Sequence, residues 1–317
     1  MEALAVNSRT EWMKNLPEHL HTEPISKIAI PGSHDSFSYY LTSSAGPNLT
    51  PALRRLSYIL PSFIRNWSKT QQWTFTEQLM NGIRYFDLRV CLKNDQFYFV
   101  HGLLGDTVIH GLNEIKEFLD KYDKEIVLLD FNHFYSFDEN FMCHEQFLTI
   151  IHQIFGKKLC TTIKLINECT FNHLWENKQQ VILLYELHPD QQCQKHMDRV
   201  GHFFQICDSP WPNTANIDQL FIYLDKAMQK PRSSACINVV QGLVTPDGAM
   251  IRRSLFNSLE SVARIVNQRL CEWIKQRKRD PSNVNGVNIV ICDFVNLYDF
   301  SDIVIQLNYK NENINII

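Results

Sequence analysis

The sequence predicts an α/β fold: an imperfect (β/α)8 TIM-type barrel built as a single domain from residues 1–317. Three observations lead there. Apolar runs of strand length recur along the whole chain. Several are continuous Val/Ile/Leu/Phe stretches, as suits strands covered on both faces. Amphipathic helical patterns lie between them, and roughly eight strands interleaved with helices make a closed barrel. A doubly wound open sheet is the competing reading.

The first strand is "KIAI" (27–30), broken at once by Pro31-Gly32. "GIRYFDLRV" (82–90) and "FYFVH" (97–101) follow, separated by "CLKNDQ", which is too short for a crossover helix between parallel strands. Either a helix is missing there or the two form a hairpin. "LNEIKEFLDKYD" (112–123) places Ile115, Phe118, Leu119 and Tyr122 on one helical face. Then come strand "EIVLLDF" (125–131), helix 143–155, strand "QVILLYE" (180–186) and strand "HFFQI" (202–206). Helix 217–228, strand "CINVVQ" (236–241), a long helix over 254–278 and strand "VNIVICDFV" (287–295) complete the set.

Composition narrows the function. The chain is 44% hydrophobic and 21% charged with net charge −3, values of a globular protein with ample core and without the basic footprint of a nucleic-acid binder. Its nine cysteines are scattered singly, with no CxxC pair, which reads as reduced thiols in a cytoplasmic protein. "MEALAVNSRTEWMKNL" lacks the apolar core of a signal peptide, and no stretch approaches a membrane span.

In parallel α/β folds chemistry gathers beyond the carboxyl ends of the strands. His34 and Asp35 follow the first strand, and Asp87 and Arg89 share a face at the end of the second. His101 ends the third, Asp130 and Asn132 the fourth, Glu186 and His188 the fifth, and Asp293 the last. A strand-end Asp is commonly a helix cap and a lone His commonly structural. Six such ends in one chain are better explained by a polar active site at the rim. His133, His144, His152, His173 and His202 are left as structural. In a closed barrel the last strand pairs with the first, which sets Asp293 beside His34. A carboxylate there fixes the imidazole's tautomer and makes it a general base. Two histidines with the Arg89 guanidinium between them suit phosphoryl chemistry. One ring removes a proton, the other protonates a leaving oxygen, and the arginine neutralises nonbridging oxygens.

"IAIPGSHDSFSY", "GIRYFDLRV", "FVHGLL", "IVLLDFNHF" and "VICDFVNL" together resemble the X domain of phosphatidylinositol-specific phospholipase C, in particular the X-domain-only proteins. The resemblance runs from about residue 16 to 308. It implies a phosphoric diester hydrolase cleaving phosphatidylinositol-type phospholipids, in lipid metabolism or signalling. It implies His34 as the base for the inositol 2-hydroxyl, held by Asp293, and His101 as the acid toward the diacylglycerol oxygen, with Asp35 as its carboxylate partner. Asp87, Asn132 and Glu186 would contact substrate. Calcium-dependent relatives carry a metal-binding acid where this chain has Arg89, and bacterial ones carry Arg, so the resemblance implies no metal and no cofactor. Asn132 replaces a calcium ligand in one branch and a lysine in the other. Where bacterial relatives have a basic pair at the end of the fifth strand, Tyr185 and Glu186 stand here, a departure in the head-group shell.

Such a substrate requires peripheral access to a membrane. Residues 41–76 contain no Asp or Glu, and they interleave Arg54, Arg55 and Arg65 with Tyr58, Ile59, Leu60 and Trp67. That mixture suits an interfacial segment on an anionic leaflet. The other reading packs its apolar residues over the barrel mouth. Two alternatives to the metal-independent phospholipase stay open: a catalytically silent lipid-binding or adaptor protein, and a metal-dependent glycerophosphodiesterase-like barrel.

Overall fold

The computed structural model describes residues 9–137, 142–186, 202–204, 206–253 and 258–310. His188 and the first turn expected of the long helix, 254–257, lie outside them. Among the described residues the strands are β1 (Ile30–Ser33), β2 (Tyr85–Lys93), β3 (Gln96–His101), β4 (Leu103–Thr107), β5 (Val127–Tyr135) and β6 (Val181–Tyr185). They continue with β7 (His202–Phe204), β8 (Cys207–Asp208), β9 (Ile237–Gln241), β10 (Lys278–Arg279), β11 (Gly286–Val287) and β12 (Ile289–Cys292). The main sheet runs β7-β6-β5-β2-β1-β12-β9-β8, every neighbouring pair in that order being parallel. Residues 205 and 206 alone separate β7 from β8, so the two ends of the sheet meet there and the barrel closes.

The short connection after β2 is a hairpin. Asn94 and Asp95 both have positive φ (51° and 59°) inside the Lys93–Gln96 pair, the backbone of a two-residue turn that matches strand twist. β3 therefore pairs antiparallel to β2 and is not a barrel stave, a correction to the even eight-strand count. The crossover helix to β5, Val108–Lys121, comes only after β4, with the Thr107 side chain capping its start. Helices Met142–Phe155, Ile217–Met228 and Leu259–Lys275 occupy the other expected helical stretches.

Period-two alternation sorts the core into two layers. Ile30, Tyr85, Leu128, Ile182, Leu184, Val239 and Ile291 pack inside the barrel. Phe86, Leu88, Leu129, Phe131, Leu183 and Val290 face the helices. Gly32 points inward on β1, where a Cβ would come 2.8 Å from the Tyr85 ring and 2.9 Å from Ile291. The floor is sealed by buried Trp12, Met13, Leu16 and Leu20. Buried Arg84 beside them donates to Glu125 Oε2 from Nε at 2.9 Å and Nη2 at 2.8 Å.

Candidate active site

Following each inward-facing row from floor to mouth, apolar side chains give way to polar ones. β2 reads Tyr85, Asp87, Arg89, and its register with β5 shifts between Leu88 and Arg89, which leaves Asn132 as the extra residue on β5. On β5 the row is Leu128, Asp130, Asn132, and on β12 it is Ile289, Ile291 and then Asp293. Asp87, Arg89, Asp130, Asn132 and Asp293 from these rows, together with His34, His101 and Glu186, line one cavity of about 430 Å³ at the carboxyl end of the barrel.

β1 pairs with β12 through Ser33 and Cys292, so the next residues, His34 and Asp293, stand side by side as closure requires. His34 Nδ1 is 2.7 Å from Asp293 Oδ1. The backbone of the "HDS" turn is clamped by a segment the strand pattern does not reveal. Gln71 Nε2 donates to the carbonyls of His34 (2.8 Å) and Cys292 (3.0 Å), and Thr70 Oγ1 donates to the His34 carbonyl at 3.1 Å. Asp35 adopts φ +40°, a left-handed conformation costing about 1–2 kcal/mol for a residue with a Cβ. Its N–H donates to Asp87 Oδ2 at 2.9 Å, which offsets part of that cost.

Asp35 is fully buried, and three bases converge on it. Arg89 Nε lies 2.9 Å from its Oδ1, while His34 Nε2 and His101 Nε2 are each 3.3 Å from its Oδ2. His101 reaches this point from the far end of β3, through the hairpin over the mouth rather than from a stave two strands away. Gly102, at φ +68°, makes the turn that follows. His101 Nδ1 donates to the Ser68 carbonyl at 2.7 Å, which turns Nε2 toward the cavity.

Burial alone would lower the His34 pKa, but the carboxylates of Asp35, Asp293 and Asp87 outweigh it and push the value up to about 9. Arg89 Nη2, 3.0 Å from His34 Nε2, acts the other way, since that contact fits a neutral ring accepting a hydrogen bond. Burial also works against ionised Asp35, yet Arg89 and the two histidines hold its carboxyl below the usual range. Deeper in the cavity, burial pushes Asp130 up to about 7 despite hydrogen bonds from Tyr85 and Asn132. Asn132 Nδ2 also donates to Asp87 Oδ1 at 2.6 Å, tying β5 to β2.

His34, Asp35 and Asp87 offer ligand atoms within 4.8 Å of one another, among the described residues the one such group. The Arg89 guanidinium lies 2.9–3.7 Å from atoms of all three. A cation held there would face that fixed positive charge, so these residues do not fit a metal ion.

Several expectations are corrected in detail. Tyr185 turns away from the cavity into the outer core, its hydroxyl 2.8 Å from His144 Nδ1, which leaves Glu186 alone of that pair at the site. Trp67 is not an exposed membrane residue; it packs against Leu259, Ala263, Phe294 and Leu297 and lines the cavity. Arg65 is only partly exposed, with its Nε buried, whereas Arg54 and Arg55 lie at the surface. His133, set aside as structural, lines the cavity, as do Trp211 and Gln241.

Comparison with known proteins identifies the family and the fold. The model for the phosphatidylinositol-specific phospholipase C X domain matches residues 62–187. PI-PLC X domain-containing protein 2 of Mus musculus is 40% identical, over 94% of this chain and 87% of its own. The chain belongs to the PI-PLC X domain-containing proteins. Protein 3 of that family from Mus musculus is 35% identical, over 94% of this chain and 93% of its own. Among solved structures, phosphatidylinositol-specific phospholipase C from Listeria monocytogenes superposes with TM-score 0.65 at 16% identity, covering 94% of this chain and 98% of that one. That similarity establishes the TIM-type barrel.

Proposed function

We propose that this family member is a metal-independent phosphoric diester hydrolase acting on phosphatidylinositol-type phospholipids at a membrane surface. The observation that carries the reading is the convergence of His34, His101 and Arg89 on buried Asp35 at the cavity mouth, with the two imidazole centroids 6.3 Å apart. Neutral His34 takes the proton of the inositol 2-hydroxyl, whose oxygen attacks phosphorus. His101, protonated at Nε2, gives that proton to the departing diacylglycerol oxygen. Arg89 moves from its contact with His34 to the nonbridging oxygens and stabilises their growing charge. The cyclic phosphate opens when the roles reverse, with water as the nucleophile. Asp293 holds His34 in the tautomer that leaves Nε2 free to accept.

Access to lipid rests on the helices Pro51–Ile59 and Pro61–Ser68. Ile64, Leu56 and Phe63 pack down toward Leu41 and Leu103, while Tyr58 (74%), Ile59 (74%) and Leu60 (51%) stand exposed where the helices meet. Both readings of the insertion thus find support, on opposite faces. No helix among the described residues is long and apolar enough to cross a membrane. The test is ³¹P detection of a cyclic phosphodiester during turnover of phosphatidylinositol vesicles. Cleavage of phosphatidylinositol methylated at the 2-hydroxyl, at the rate of the unmodified lipid, would contradict attack by that oxygen.

A further inference from the structure

The strand pairing that brings His34 beside Asp293 stops one residue before them. Ser33 and Cys292 are the last partners of β1 and β12, and the ladder closes with a bond from the His34 N–H to the Cys292 carbonyl at 3.2 Å. Each stave then turns through a left-handed residue, Asp35 at φ +40° and Phe294 at φ +50°. Residues with a Cβ keep such conformations only where their surroundings over-determine them. Thr70 and Gln71, both fully buried, supply much of that restraint. The Gln71 amide spans the seam: Nε2 donates to the carbonyls of His34 and Cys292, and Oε1 accepts from the Val295 N–H at 3.1 Å. The Thr70 hydroxyl is shared between the carbonyls of His34 and Asp35 at 3.1 and 3.2 Å, and its own carbonyl accepts from the Phe294 N–H at 2.6 Å. Asn267 adds a bond to the Asp293 carbonyl at 2.8 Å, on the β12 side of the seam.

Resting on the phospholipase reading above, we propose that Gln71, supported by Thr70, is a positioning residue for the general base, extending the seam past its last strand pair so that His34 Nδ1 stays on Asp293 Oδ1. An amide suits this task because it offers donors and an acceptor without adding charge beside the ring. The groups facing His34 are Asp293, Asp35, Asp87, Arg89, His101 and His133. Of the three carboxylates, Asp293 is the one hydrogen-bonded to the ring, at 2.7 Å. Loss of the Gln71 bonds frees the turn at 293–295 to draw that carboxylate away. The ring then binds its proton less tightly and its tautomer is no longer set. The same segment reaches the acid, since the Ser68 carbonyl accepts from His101 Nδ1, so residues 68–71 hold base and acid in one frame.

The experiment compares wild type with Gln71→Met, which keeps the length of the side chain and loses its hydrogen bonds, and with Thr70→Val and Thr70→Ser, on phosphatidylinositol vesicles. Gln71→Met should lower kcat by about tenfold to a hundredfold, the scale of a small misplacement, while KM changes by less than about twofold. The ascending limb of kcat/KM should move down from about 9 toward 6.5. Thr70→Ser, which keeps the hydroxyl, should recover most of what Thr70→Val loses. A second measurement needs no turnover: the ring titration of His34, assigned by its absence from His34→Ala protein, is followed by NMR in ¹⁵N-histidine-labelled protein. Its midpoint should fall by about one unit in Gln71→Met, the scale of one weakened charge contact. A merely structural role would lower the melting temperature and leave both the limb and the midpoint at their wild-type values, and that result overturns the proposal. Thr70→Val, close to threonine in shape, carries the same two readouts should Gln71→Met fail to fold. A shifted midpoint with an inactive wild type would sink the phospholipase reading and leave the positioning role standing; turnover with an unshifted midpoint would do the reverse.

Discussion

His34 Nδ1 lies 2.7 Å from Asp293 Oδ1, across the seam where the last strand of the barrel pairs with the first. The contact is a consequence of closure: the parallel pairing of β1 with β12 brings the two residues side by side. It fixes which imidazole nitrogen faces the cavity, and with Asp35 and Asp87 it sets the charge of the ring.

That charge gives a pH dependence. A base must be neutral, and the carboxylates around His34 push its pKa up to about 9 from 6.5. In the free enzyme kcat/KM should therefore rise with pH to about 9. Asp293→Asn should move this limb to lower pH and reduce the plateau on the order of a hundredfold or more. The same shift links to stability. Because the folded-state pKa is raised, the His34 contribution is fully present below about 6.5 and is lost as pH climbs toward 9. A melting-temperature series over that window, compared with His34→Ala, measures it.

His34→Ala and His101→Ala should each lower turnover by at least about a hundredfold, the scale of general acid–base catalysis. Both side chains sit at the rim, and neither belongs to an apolar core cluster. Their melting temperatures should stay within a few degrees of wild type, read by scanning calorimetry; a large drop would make these residues structural.

Arg89→Asp should exchange one kind of site for another. Wild-type activity is expected to be unchanged by EDTA. The variant should lose metal-independent turnover and gain calcium affinity, because the new carboxylate would join His34, Asp35 and Asp87 with the guanidinium gone. Calorimetric titration with calcium reads the gain.

Gly32→Ala should destabilise the barrel by about 1–3 kcal/mol, the usual cost of overpacking. Its methyl would press on the Tyr85 ring and on Ile291, both buried. Chemical denaturation measures the loss.

Replacing Tyr58, Ile59 and Leu60 together by Ser should weaken binding to anionic vesicles by about tenfold or more, since burying even one such side chain is worth ~1.5–3 kcal/mol. Hydrolysis of a short-chain monomeric substrate should be unaffected, which separates docking from chemistry.

Much of this site was legible in the sequence because strand periodicity is a local rule and barrel closure a simple geometric one. They place Asp87 with Arg89, Asp130 with Asn132, and Asp293 beside His34. What the rules cannot reach are contacts made by backbone and by excursions from the barrel. The length of "CLKNDQ" and its Asn-Asp pair permit a hairpin, and the left-handed conformations of Asn94 and Asp95 decide it. The route of His101 to Asp35 depends on that hairpin, and its orientation depends on the carbonyl of Ser68, which carries no side-chain signature. Thr70 and Gln71, the clamps on the His34 turn, sit in an insertion whose composition speaks of membranes. The outward turn of Tyr185 was in principle readable, since alternation from Ile182 and Leu184 puts Glu186 inside and Tyr185 outside.

The most direct test of the central claim is release of water-soluble inositol phosphates from phosphoinositide vesicles in EDTA by wild type, His34→Ala and His101→Ala. The account predicts release by wild type and its loss in both variants. No release by wild type, with all three proteins still binding the vesicles, would contradict it and leave a lipid-binding barrel in place of an enzyme.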